Sequence, residues 1–347
     1  MTHRFPIKEI ARQAGLGTAT VDRVLNNRAH VSPQTRVRIQ AALKELEAQE
    51  LQMAARGRKM FIDVIVEAPR RFSDQVRAAC ETTISEFHSV AFRPRFLFQE
   101  VMTSADIELA FERIRKRGTQ GVLLKARDIP FVREGVDRLE AGGSPVVTLA
   151  TDLPDTMRTK YVGIDNANAG RTAAFVIDKV LSDPSGIVLT TRSQDEFQGE
   201  AERFEHFKRQ LFKLRPGLKL IVVSGGAGVS GDTKRLLAEK LADVTHLSAV
   251  YSMGGGNRAI LEVLENQHLK PAHFIGHDLD SDNLQLLKQG QISFVLYHDL
   301  NQDMHNALVA IAARHRLGNP PNQTVWNDIQ LITPFNIPAL QLAPLKS

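Results

Sequence analysis

The chain has 347 residues, 43% of them hydrophobic, and a formal net charge of +5, a length that suits two or three domains. No apolar run reaches the 18 residues of a bilayer span, so no transmembrane segment is expected. The single cysteine, Cys80, excludes an intrachain disulfide; with no cysteine–histidine spacing of a metal site, neither metal nor cofactor is expected. The N-terminus lacks an apolar leader core, and a cytoplasmic location is expected. Residues 1–60 carry eleven Lys/Arg against five Asp/Glu, whereas the remainder carries 33 against 34. The basic excess is confined to that first segment. Phosphate neutralisation supplies most non-specific DNA affinity, so DNA contact is expected there.

The first element is a helix from Ile7, with Ile7, Ile10, Ala11 and Ala14 at helical spacing. Gly15 suits the left-handed residue that ends a helix. Leu16 and Gly17 bridge to Thr18, the expected N-cap of a second helix with Val21, Val24 and Leu25 on one face. Helix, glycine turn and short helix make a helix-turn-helix, whose second helix can enter the DNA major groove. Ser32 as N-cap and Pro33 in the first turn start a third helix. Val37, Ile39, Ala41, Leu43 and Leu46 are expected to close a small three-helix core. Residues 48–59 are helix-prone but polar, a linker able to become helical when bound.

From Met60 the texture changes to apolar runs alternating with amphipathic segments. Strands are expected from Met60 and at 95–99, 121–125, 145–150, 186–190, 219–223, 246–252, 273–276 and 292–297. Helices are expected near 74–88, 105–117, 131–141, 167–181, 196–213, 232–243, 257–267, 281–289 and 302–317. Such alternation means α/β layering with parallel sheets. Its length implies two sheets, with ligands beyond the carboxyl ends of the strands.

The segment IKEIARQAGLGTATVDRVLNNRAHVSPQTRVRIQAALKEL resembles the headpiece of the lactose-repressor (LacI/GalR) family of bacterial transcription regulators. The pattern runs I-K-x-I-A-x-x-A-G, T-V-x-R-V-L-N and V-S-x-x-T-R-x-R-I. PVVTLATDLP, YVGIDNANAGRTAA and FIGHDL resemble that family's effector domain, itself similar to periplasmic sugar-binding proteins. The resemblance implies an all-α helix-turn-helix headpiece (1–48), a hinge (49–60) and an α/β effector domain (61–347) of the periplasmic binding protein type I-like class. The effector domain would hold two Rossmann-like subdomains, about 61–162 with 293–322 and about 163–292 with 323–347. Three crossovers would join them around an effector cleft. A homodimer on a palindromic double-stranded operator is implied, controlled by a sugar, polyol or sugar acid, with no membrane partner.

On that resemblance Thr18 and Ala19 face bases, with Arg23 one turn later and able to reach guanine O6 and N7. Thr20, Asn26 and Thr35 are expected phosphate contacts, which position without reading sequence. Asp22 stands where a serine is more usual, and a carboxylate near DNA costs affinity unless paired. In the hinge, Ala55-Arg56-Gly57-Arg58 puts arginine where the family carries a leucine that wedges into the minor groove. Arg56 and Arg58 become the expected hinge contacts, Arg58 in a narrow, electronegative groove. Gly57 weakens a hinge helix by about 1 kcal/mol relative to alanine.

For the effector, Arg70, Arg71 and Phe72 follow the first strand, and Lys125 and Arg127 end another. Thr151 and Asp152 follow PVVTLA, where an aspartate accepts two hydroxyl bonds. Arg203 aligns with a family arginine that grips sugar hydroxyls, with His206 replacing a glycine. Asp278 aligns with the family's hydroxyl-binding aspartate, with His277 beside it. His298 stands where glutamine is more usual, and Met253 to Asn257 replace a loop carrying an Asn-Asp pair. Arginine and histidine outnumber the two aspartates, which favours an anionic sugar acid or sugar phosphate.

An enzyme would need a nucleophile or a paired acid and base. The runs Gly225-Gly226-Ala227-Gly228 and Gly254-Gly255-Gly256 fit neither the phosphate-loop nor the dinucleotide pattern, so no catalytic residue is expected. A transport binding protein would have a leader and no headpiece. Repression of carbohydrate or polyol genes is the expected role, with activation or dual regulation as the alternative.

Overall fold

The computed structural model describes residues 4–26, 28, 31–55, 59–87, 90–228, 230–317 and 327–339. The hinge residues Arg56, Gly57 and Arg58 lie outside the described residues, as does the C-terminal stretch from 340.

Three helices come first: α1 (Ile7–Ala14), α2 (Thr18–Leu25) and α3 (Pro33–Ala55). Gly15 caps α1 with φ 61°, and the Leu16 amide closes the turn on the Ala11 carbonyl at 2.9 Å. Ile10, Ala11, Val21, Val24, Ile39, Ala42 and Leu46 form the core between them, with Leu43 packed against it. Val37 was expected there but is 69% exposed, and Ala41 is exposed too. Ile39, Ala42, Leu43 and Leu46 share one face at i, i+3, i+4 and i+7, and Val37 and Ala41 fall outside it. The linker is helical as far as Ala55, continuous with α3.

The first sheet holds β1 (Lys59–Glu67), β2 (Ala91–Gln99), β3 (Gly121–Lys125), β4 (Val146–Leu149) and β5 (Lys160–Val162). Their order is β2-β1-β3-β4-β5, all parallel. Ile62, Val64 and Val66 pack on α4 (Arg70–Glu86) and α12 (Leu300–Arg314). Ile65, Val122 and Leu124 pack on α5 (Ser104–Arg117) and α6 (Pro130–Ala141). Burial of both faces is why these strands read as continuous apolar runs.

The second sheet holds β6 (Ile187–Arg192), β7 (Lys219–Ser224), β8 (Ala249–Ser252), β9 (His273–His277), β10 (Phe294–Tyr297) and β11 (Gln330–Ile332). The order is β11-β10-β9-β8-β6-β7, parallel except for β11. One face packs on α7 (Asn166–Val180) and α8 (Gln198–Leu214). The other packs on α9 (Ser230–Leu241), α10 (Asn257–Asn266) and α11 (Ser281–Lys288). The chain passes between the sheets after β5, between β10 and α12, and on its return to β11. On that return Asn327 forms a parallel bridge with Ile164.

Candidate DNA interface and effector cleft

In the headpiece Gly17, not Thr18, is the N-cap of α2. Thr18 is the first helical residue and is exposed, as are Ala19 and Arg23, while Thr20 is half-buried. Asp22 is paired, though not by Arg23. Its carboxylate accepts from Asn26 Nδ2 at 2.8 Å, and Arg28 Nη1 lies 3.6 Å away. Ser32 Oγ accepts from the Thr35 amide at 3.1 Å and sits 2.8 Å from the Thr35 hydroxyl, which ties Thr35 to the start of α3.

Between the two sheets lies a cavity of about 770 Å³, counting the solvent at its mouth. Its wall follows the carboxyl ends of the strands. Pro69 comes after β1, Glu100 after β2, Lys125 at the end of β3 and Thr151 after β4. Ser193 follows β6, Ala227 β7, Met253 β8, Asp278 β9 and His298 β10. Ala150, Ala227 and Asp278 turn the chain there with φ of 61°, 51° and 62°. Left-handed backbone costs a non-glycine residue about 1–2 kcal/mol, and strain of this kind gathers at functional sites.

Arg71, Phe72, Lys125, Thr151, Arg203, His277, Asp278 and His298 are brought together in this wall. Arg70, Arg127 and Asp152 are not. Helix α4 begins at Arg70, earlier than expected, and points that side chain outward, 88% exposed beside Asp74. Arg127 Nε pairs at 2.9 Å with the fully buried Glu67, and its guanidinium also donates to the Met102 carbonyl. Asp152 is held by both arms of Arg158 and accepts from Thr148 Oγ1 and the Leu153 amide at 2.8 Å each. Its acceptor sites are spent within the first subdomain. His206 bonds to Arg171 on the exposed side of α8.

Lys125 Nζ donates to the Glu67 carbonyl at 3.0 Å and sits 3.9 Å from the Phe197 ring centre and 5.5 Å from that of Phe72. Burial lowers its pKa against the opposing pull of Glu200, Glu67 and Asp278. Arg203 donates from Nη2 (2.8 Å) and Nε (3.2 Å) to Asn166 Oδ1, and from Nη1 to the Met253 carbonyl (3.2 Å). His277 Nε2 lies 2.7 Å from the Tyr251 hydroxyl. Burial, reinforced by Arg203, holds its pKa well below the usual range, so the ring is neutral.

Asp278 behaves oppositely. Burial raises its pKa, but the charged His298 ring 3.6 Å away and the positive charge of Arg203 outweigh that and hold it at about 2. Burial lowers the pKa of His298, but Asp303 and Asp278 outweigh it and raise it to about 10.

Sequence reasoning missed Glu100, Ser193, Phe197, Glu200 and Asp280, all in the wall. Glu200 accepts from the Ser193 amide at 2.7 Å and from its hydroxyl at 2.5 Å. Asp280 pairs across the cleft with Arg71. The loop Met253–Asn257 is glycine-rich because a Cβ on Gly254 would lie 2.2 Å from the Ser193 backbone nitrogen, and Gly255 and Gly256 take φ of +78° and +76°.

The family model for bacterial regulatory proteins of the lacI family matches residues 6–47, and that for a periplasmic binding protein domain matches residues 72–320. The chain belongs to the LacI family. It joins a helix-turn-helix headpiece to a sugar-binding-like effector domain, as a family of DNA-binding transcription regulators does.

The LacI-family assignment agrees with individual relatives. The HTH-type transcriptional regulator TreR of Salmonella typhimurium is 30% identical over 126 residues, covering 36% of this chain and 39% of that protein. This chain thus matches about two-fifths of that relative's length. The HTH-type transcriptional regulator MalR of Clostridium butyricum is 26% identical over 271 residues, covering 73% of this chain and 77% of that protein. Among solved structures, an ABC-transporter solute-binding protein from Burkholderia graminis in complex with D-arabinose superposes with a TM-score of 0.71 at 20% identity, covering 80% of this chain and 96% of that one. That likeness shows the fold. No helix among the described residues is long and apolar enough to cross a membrane.

Proposed function

We propose that this regulator is a cytoplasmic repressor of carbohydrate or polyol genes that binds a palindromic operator as a homodimer. A neutral polyhydroxyl compound, a sugar or a polyol, would be its effector. The charge balance of the cavity carries this choice. Arg71, Lys125, Arg203 and His298 are the cationic groups of the wall, against Glu100, Glu200, Asp278 and Asp280. At most four cations therefore face four carboxylates, and Arg71 and His298 are paired already. The Arg-and-His excess in the sequence disappears once Glu100, Glu200 and Asp280 join the wall. An anion would find no net positive charge in the wall, whereas hydroxyls are served by donors and acceptors side by side.

Phe72 and Phe197 offer apolar faces beside these polar groups, the mixture that small-molecule pockets use. The D-arabinose held by the structural relative supports the same class. The mechanism is a population shift. Effector favours one relation of the two subdomains, and the headpieces then match two half-sites better or worse. Thermal-shift screening of the full chain with pentoses, hexoses, cyclitols, uronates and sugar phosphates tests the reading. Neutral compounds should raise the melting temperature; stabilisation by uronates or sugar phosphates alone would overturn it.

A further inference from the structure

His298 is held from both sides. Its Nδ1 lies 2.8 Å from Asp303 Oδ2, and its Nε2 lies 3.6 Å from Asp278 Oδ1. The contact is a charge pair: neither Nδ1 nor Asp303 Oδ2 has a hydrogen bond of good geometry among the described residues. A neutral imidazole would aim a nitrogen lone pair at one of these carboxylates; a ring with a proton on each nitrogen presents a positive N–H to both.

Asp303, in the first turn of α12, is fully buried. Its other oxygen accepts from Asn327 Nδ2 at 3.0 Å, and that amide also donates to the Asp299 carbonyl at 2.6 Å. Asn327 is in turn fixed by its bridge to Ile164, so Asp303 is anchored to two of the passages between the sheets. Among the described residues the neutral His277 also faces the ring, Tyr161 faces Asp303, and the neighbouring Asp299 has its carboxylate taken by the Asn301 amide.

We propose that Asp303 is a positioning residue of the effector site, which keeps His298 a donor at both nitrogens and turned toward Asp278. This deepens the polyhydroxyl reading above and rests on it. The 3.6 Å gap between Nε2 and Oδ1 is too long for a direct hydrogen bond. A ligand hydroxyl entering it accepts from Nε2 and donates to Oδ1. This corner thus recognises a hydroxyl through one fixed donor and one fixed acceptor, both charged, which strengthens each bond. The raised pKa of His298 agrees with this arrangement.

The test uses the full chain labelled with ¹⁵N-histidine, with His298→Gln to assign the ring. At pH 8 both His298 nitrogens should carry the protonated signature in the wild type and in Asp303→Glu. In Asp303→Asn the ring should become neutral, while the His277 signal stays unchanged and reports an intact cleft. A neutral His298 in the wild type at pH 8 would overturn the proposal without any variant; an unchanged ring in Asp303→Asn would do the same.

The ligand arm measures D-arabinose and myo-inositol by calorimetry at pH 6 and pH 8. Wild-type affinity should be equal at the two, and Asp303→Asn should lose roughly tenfold at pH 8 and less at pH 6, the share of a charged over a neutral hydrogen bond. An equal loss at both pH values would make Asp303 merely structural and overturn the proposal. If neither compound binds the wild type, the polyhydroxyl reading falls and the ligand half of this proposal with it, while the ring signals still decide the donor state.

Discussion

Arg71 and Asp280 meet across the cleft, Nε to Oδ2 at 2.9 Å, and join the first turn of α4 to the N-cap of α11. Arg71 adds a bond to the Gly228 carbonyl at 3.3 Å, and one turn on, Gln75 Nε2 donates to the Leu279 carbonyl at 2.8 Å. The subdomains are thus tied along one edge by residues from both. Removing one member of a buried pair strands the other, at a cost of roughly 3–5 kcal/mol when burial is complete. Arg71 is 21% exposed, so the lower end applies. Arg71→Ala should lower the melting temperature at pH 7 by several degrees. Arg71→Ala combined with Asp280→Asn should recover most of that, because no charge is stranded and asparagine caps α11 as well as aspartate does. A double variant no more stable than the single one would show that the pair carries no such coupling.

Asp280 itself titrates unusually. Burial raises its carboxyl, the Asn283 amide and Arg71 oppose that, and the outcome is about 6. A pKa raised above the unfolded value gives stability that is complete below about 4 and lost as pH rises through 6. Asp280→Asn should therefore gain stability relative to the wild type on going from pH 4 to pH 7, read by chemical denaturation at each pH. A constant difference would contradict the assignment.

His298 sets the alkaline side. Its pKa is raised to about 10, so its contribution is complete below about 6.5 and declines as pH rises through 10. The wild type should lose stability between pH 7 and 10, and His298→Gln should show a flatter profile over that window. Parallel profiles for the two proteins would place the titrating group elsewhere.

Arg23 is exposed on α2 and can reach base edges if that helix enters the major groove. Arg23→Ala should cost roughly 1–3 kcal/mol at one base pair per half-site and relax specificity there. A binding-site selection on both proteins reads this out. Uniform weakening on all sequences would make Arg23 a phosphate contact.

Most of this architecture was legible because its signals are periodic. The helix-turn-helix and the two-sheet alternation follow from spacing alone. Strands β5 and β11 were not seen because three residues hold no period, and both are edge strands. Val37 was misplaced because apolar character does not reveal helical phase. The site was half legible. Asp278 and Arg203 stand in recognisable strings, whereas Glu100, Glu200 and Asp280 sit at turns and helix starts, where carboxylates are common for capping. One signal was available: Glu100 and Asp280 come within three residues of a strand's carboxyl end, where such sheets bind ligands. Asp152 satisfies that rule and yet is spent on Arg158, which only the folded chain discloses.

In the function proposed above, cleft and headpiece form one switch thrown by a neutral polyhydroxyl effector. Fluorescence anisotropy tests it most directly, with the full chain titrated into an operator recovered by selection, with and without the neutral compound that most raises its melting temperature. The compound should weaken operator binding by roughly 5–150-fold, the range of allosteric coupling. Equal affinity with and without a compound that demonstrably binds would contradict it.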